Sequence, residues 1–160
     1  MRKELEEIIK STLTEFYAND DYLVDNHRDY DERYRHNNER SLVFRFGIYF
    51  DKLLKQSKFK DYQLDSEYNR NLNDEKRLEP TERGKFPDII LHKRGTNEFN
   101  LLMVEFKTWW DNDRIGDIGK IEKFVDNNRE YKYEFGLSVI FEKSLQETIA
   151  SFKWFPLKAI

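Results

Sequence analysis

The 160-residue sequence predicts an α/β domain with the element order α-β-β-β-α-β, preceded by an extra N-terminal helix. Three observations carry that prediction. Apolar residues recur at helical spacing near the start, over 39–53 and over 115–125. Strict alternation runs from Tyr133 to Phe141. Two short apolar runs, Phe86 to Leu91 and Leu101 to Lys107, flank a polar turn.

Leu5, Ile8, Ile9, Leu13 and Phe16 define the first amphipathic helix, and Asn19-Asp20 end it. The stretch 20–38 is polar and aromatic without period and reads as a loop. Its His27 and His36 read as solvated, because no Cys or second His stands at a ligand spacing. Asn37 or Asn38 caps a second helix. There Leu42, Val43, Phe46, Phe50 and Leu53 lie within about 60° of Glu39 around the axis. Glu39 thus sits in mid-stripe, either as a partner of the helix dipole or aimed inward at a cation.

Phe59 to Asn69 reads as the first strand, with Tyr62, Leu64, Ser66 and Tyr68 on one face and Glu67 on the other. The charged, non-periodic stretch 71–84 reads as a solvated loop. Lys76, Arg77, Arg83 and Lys85 are basic residues there or beside it that can meet phosphates. After the hairpin, Asp113 caps a helix built on Ile115, Ile118, Ile121 and Val125, with Asp117 and Lys120 on its flank. The tail reads as a short helix and an aromatic segment (Phe152, Trp154, Phe155) that packs or forms a homodimer contact. The chain is expected to be one domain: an extension over 1–36, a core over 37–142 and a tail over 143–160.

The hairpin holds the chemistry. Period two puts Leu101, Met103, Glu105 and Lys107 on one face of its second strand. A turn centred near Thr96-Asn97 places Asp88 opposite Glu105. Facing carboxylates repel, and charges among Ile, Leu, Met and Val are costly to bury unpaired. The pattern asks for a cation between them.

Pro87-Asp88 followed on the next strand by Glu105-Phe106-Lys107 resembles the signature of the PD-(D/E)XK nuclease superfamily. The run Phe-Pro-Asp-Ile-Ile-Leu-His-Lys-Arg-Gly is also similar to that of a group of small uncharacterised bacterial members. The likeness covers about 39–141. It implies a restriction-endonuclease-like core, a mixed central sheet flanked by helices, and a nuclease that uses Mg²⁺ or Mn²⁺ on nucleic acid, with DNA preferred. By that pattern Asp88, Glu105 and the backbone carbonyl of Phe106 bind the metal, and Lys107 orients the attacking water. Glu39, on the first core helix, holds a water or a second ion. Lys120 and Glu67 are weaker candidates. Carboxylate and carbonyl oxygens suit Mg²⁺, which keeps several waters and needs only one or two carboxylates.

Composition sets outer limits. A net charge of −3 argues against a basic coat protein for nucleic acid, but not against an enzyme with one local basic patch. Cysteine is absent, no secretory leader opens the chain and no apolar run approaches membrane length. A cytoplasmic protein is expected. Two other readings stand beside the nuclease. One is a catalytically silent nuclease-fold module that binds nucleic acid or a protein; the other is a structural protein whose carboxylates are paired by lysines.

Overall fold

The computed structural model describes residues 1–24, 39–67, 70–71, 74–75, 86–111, 113 and 115–156. Helices α1 (Arg2–Asp20) and α2 (Glu39–Leu54) precede β1 (Gln63–Ser66) and the two-residue strands β2 (Arg70–Asn71) and β3 (Asp74–Glu75). Then come β4 (Ile89–His92), β5 (Leu102–Thr108), α3 (Ile115–Val125), β6 (Phe135–Phe141), α4 (Leu145–Ala150) and β7 (Lys153–Phe155). The result is a mixed α/β fold. Its main sheet has five strands in the order β1-β4-β5-β6-β7, and β2 and β3 pair in a separate two-stranded sheet. Within the main sheet β5 and β6 are parallel and the other neighbours antiparallel. A parallel pair needs a crossover, and α3 supplies it.

Alternation sorts side chains to the two sheet faces. Leu91, Leu102, Val104, Phe106, Leu137, Val139 and Phe141 point to the face covered by α1 and α2, where Leu5, Ile9, Leu13, Phe16, Leu42, Phe46 and Phe50 are fully buried. Ile90, Met103 and Phe155 point to the other, where Ile121 and Phe124 of α3 meet them with Tyr131 and Tyr133. Phe106 anchors β5 in the first layer. Its ring lies 4.9 Å from that of Phe46 and 5.2 Å, stacked, from that of Phe141. Such pairs add about 0.5–1.5 kcal/mol each beyond area burial. Glu105 and Lys107 flank it and so turn to the α3 face.

The expected hairpin register is the observed one: Ile89 pairs with Val104, Ile90 with Met103 and Leu91 with Leu102. Gly95, at φ 83°, supplies the left-handed residue of the turn. Other expectations need correction. The first strand spans four residues, not 59–69. Phe59 to Tyr62 instead form turns, in which the Ser57 hydroxyl bonds the Leu54 carbonyl and the Phe59 N–H. Glu67 ends the strand at φ 48°. In α2 the buried stripe closes on Leu54 rather than Leu53.

The two terminal segments belong to the fold. Four apolar residues of α1 are fully buried, and Tyr17 donates to the Glu142 carbonyl at 2.5 Å, joining α1 to the end of β6. Burial lifts the Tyr17 phenol to about 12. The aromatic tail becomes β7, with Trp154 and Phe155 buried. Among the described residues no helix is long and apolar enough to cross a membrane.

Candidate metal centre

β4 starts at Ile89, one residue after Asp88, so β5 has no β4 partner beyond Val104. The Asp88 carboxylate fills that gap: its Oδ2 accepts the Phe106 N–H at 2.7 Å. In a strand the N–H and C=O of one residue point to the same side. The Phe106 carbonyl therefore also faces the opening beside Asp88. One register step beyond Ile89 and Val104 puts Asp88 opposite Glu105, on the α3 face.

The two acids are held differently. Glu105 is 3% exposed, and the Lys120 ammonium lies 2.8 Å from each of its carboxylate oxygens. The same ammonium donates to the Phe86 carbonyl at 2.6 Å. α3 thus supplies a cation to the Glu105 carboxylate. Lys107, expected to orient the attacking water, lies 3.4 Å from Asp111 and 3.9 Å from Glu39. Glu39, in the first turn of α2, does turn inward, toward that lysine.

Asp88 also lines an open cleft of about 420 Å³ with Glu39, Arg40, Val43, Ser66 and Glu67. The left-handed backbone at Glu67 breaks the alternation that would fix its face, and its carboxylate meets Arg40 at 2.9 Å. That pair is exposed and worth no more than about 1 kcal/mol. The structure thus brings Asp88 and Glu105 together in register, and Glu39, Lys107 and Glu67 around them. Among the described residues no three His, Cys, Asp or Glu side chains form a ready cage for a metal. The donors are nevertheless hard oxygens, with a lysine already seated on one carboxylate. That set fits Mg²⁺ or Mn²⁺ held by two carboxylates, a backbone carbonyl and water. His27, His36, Lys76, Arg77, Arg83 and Lys85 lie outside the described residues.

A second charged cluster was not singled out from the sequence. His92 Nε2 lies 2.8 Å from Asp65 Oδ2, and the Arg94 guanidinium grips both oxygens of Asp65. Alternation from Asp88 through Ile90 was the available signal for His92, and the short β1 was the obstacle. Burial pushes the Asp65 carboxyl up, but the bonds from Arg94 and His92 outweigh it and hold the group below its ordinary value of 3.8. A carboxyl depressed in the folded state gives stability that is present above the unfolded value and lost as pH falls through the folded one. Asp65→Asn is therefore expected to cost about 1–2 kcal/mol near neutrality. Its deficit against the wild type should close as pH drops below about 4. Urea melts at several pH values measure this, and a deficit independent of pH would refute the ionic role.

Compared with protein-family models, curated proteins and solved structures, the chain matches none.

Proposed function

We propose that this chain is a Mg²⁺- or Mn²⁺-dependent nuclease with a restriction-endonuclease-like core, hydrolysing phosphodiester bonds in DNA. The observation that carries the reading is the seating of Asp88 and Glu105. Asp88, at the rim of the cleft, enters β4 one register step beyond Ile89, opposite the buried Glu105 of β5, and Glu39 lines the same cleft with Lys107 3.9 Å from it. The sheet supports it too, since one helix precedes three antiparallel strands and another crosses to a parallel fourth. The Pro87-Asp88 and Glu105-Phe106-Lys107 resemblance implies a mixed sheet of this kind.

Phosphodiester hydrolysis needs an activated water, relief of charge on the phosphate and a stabilised leaving oxygen. A divalent ion supplies Lewis acidity and a more acidic water when bound. Asp88, Glu105 and the Phe106 carbonyl would hold it. Phe106, packed in the aromatic layer, keeps the strand that carries Glu105 and Lys107 rigid. Lys107 would hold and orient the attacking water, and Glu39, 3.9 Å away, would set the position of its ammonium. Arg40, exposed at the cleft, is placed to meet a phosphate.

The seat of Lys120 on Glu105 favours a second reading, the catalytically silent module. Supercoiled plasmid, single-stranded DNA and RNA, each incubated with Mg²⁺, Mn²⁺ or EDTA, separate the two. Cleavage of DNA only with metal is the expected result; binding without cleavage would favour the silent module.

Glu39 gives a narrower test. As a mere partner of the helix dipole, its replacement by Gln would cost about 0.3–1 kcal/mol and spare activity. The expected outcome of Glu39→Gln is instead a steep fall in cleavage at nearly constant melting temperature. Reduced stability with full activity would refute its role.

A further inference from the structure

We infer that Lys120 is the resident counter-ion of Glu105 and sets the affinity of the site for divalent metal by competing for the same carboxylate. The inference rests on the metal-dependent reading above. Lys120 comes from the middle of α3, the crossover helix, and its side chain is only 12% exposed. Its ammonium lies 2.8 Å from each oxygen of a carboxylate that is 3% exposed. A carboxylate that deep stays ionised only with a cation against it, and removing one partner of such a pair is strongly destabilising. The carboxylate that Lys120 engages is the one that would bind a divalent ion.

The lysine does a second job in the same seat. Its bond to the Phe86 carbonyl, at 2.6 Å, fastens the segment that leads through Pro87 to Asp88. One ammonium therefore holds both halves of the acidic pair in place before metal arrives. Lys107 sits at another part of the site, 3.4 Å from Asp111 and 3.9 Å from Glu39. Lys120 is a positioning residue: it acts on metal through Glu105 and by holding the Asp88 segment. A residue of purely structural value would weaken metal binding when lost. A competitor strengthens it.

The test is Mn²⁺ binding to the full chain, followed by electron paramagnetic resonance and by calorimetry, with no nucleic acid present. Lys120→Gln keeps a donor and removes the charge. Its Kd for Mn²⁺ is expected to fall by about tenfold or more. Its melting temperature in EDTA should drop, and saturating Mn²⁺ should return it to the metal-loaded wild-type value. Lys120→Arg, which keeps the charge, should bind Mn²⁺ no more tightly than the wild type. Equal or weaker binding by Lys120→Gln, with the wild type binding normally, overturns the inference and leaves the nuclease reading intact. Failure of both proteins to bind Mn²⁺ overturns the metal site itself, and this inference with it. If Lys120→Gln does not fold without metal, the Glu105→Gln/Lys120→Gln pair decides. Recovery of folding in EDTA supports the charge pairing, and continued unfolding overturns it.

Discussion

Replacing Asp88 is expected to remove metal-dependent cleavage of DNA, and Lys107→Met to lower it by about 10²–10⁴-fold. The choice of substitution matters. Asp88 accepts the Phe106 N–H at 2.7 Å, so Asp88→Ala leaves a strand amide unpaired at a cost of roughly 1–3 kcal/mol. Asp88→Asn retains a carbonyl oxygen for that bond and removes only the charge, so it separates chemistry from folding. Glu105→Gln is a poorer probe, because it strands the Lys120 ammonium in a buried seat. Metal gives an independent reading of the same site. A ligand that binds only the folded state adds about 2.7 kcal/mol at a hundredfold excess over Kd. Mn²⁺ should therefore raise the melting temperature of the wild type and hardly move that of Asp88→Asn. Wild-type cleavage rates in Asp88→Asn, or identical thermal responses to Mn²⁺, would sink the assignment of Asp88 to the metal.

The hairpin register was legible because a long run of period-two residues and a turn containing Gly95 leave few ways to pair 89–91 with 102–104. The inward side of α2 was legible for a similar reason, since a stripe of five apolar residues orients the helix and carries Glu39 with it. The partner of Glu105 was not. Lys120 lies on the flank of α3, and whether a flanking lysine reaches the sheet depends on how closely the helix settles on it. That distance is set by tertiary contacts, not by periodicity. β7 was missed as a strand because three residues carry no period of their own, and Trp154 and Phe155 read only as an aromatic segment that packs or dimerises. Glu67 was placed by an alternation that its left-handed backbone interrupts.

The settling of α3 depends on one absent side chain, and this gives the largest expected effect on stability. Gly136 is the second residue of β6, paired with Met103 on one side and Phe155 on the other. Glycine is a poor strand residue, and its φ is not positive here, so the turn-forming freedom of glycine does not explain it. Space does. A Cβ at Gly136 would lie 2.3 Å from Ile121 Cγ2, 3.0 Å from Val125 Cγ1 and 3.5 Å from Phe155 Cβ. Ile and Val in a helix keep one dominant χ1, so neither methyl group can swing clear. The helix would have to lift from the sheet. Gly136→Ala is therefore expected to cost about 1–3 kcal/mol despite the better strand propensity of alanine. For a domain of this size that lowers the melting temperature by about 2–12 °C. Ile121→Ala removes the nearest methyl group, and in the double variant the two losses should not add, with a coupling of about 0.5–3 kcal/mol. Lys120 immediately precedes Ile121 on α3, so lifting the helix should also loosen its hold on Glu105 and shift the Kd for Mn²⁺. A Gly136→Ala protein as stable as the wild type, or additive losses in the double variant, would show that α3 does not need the bare backbone at this position.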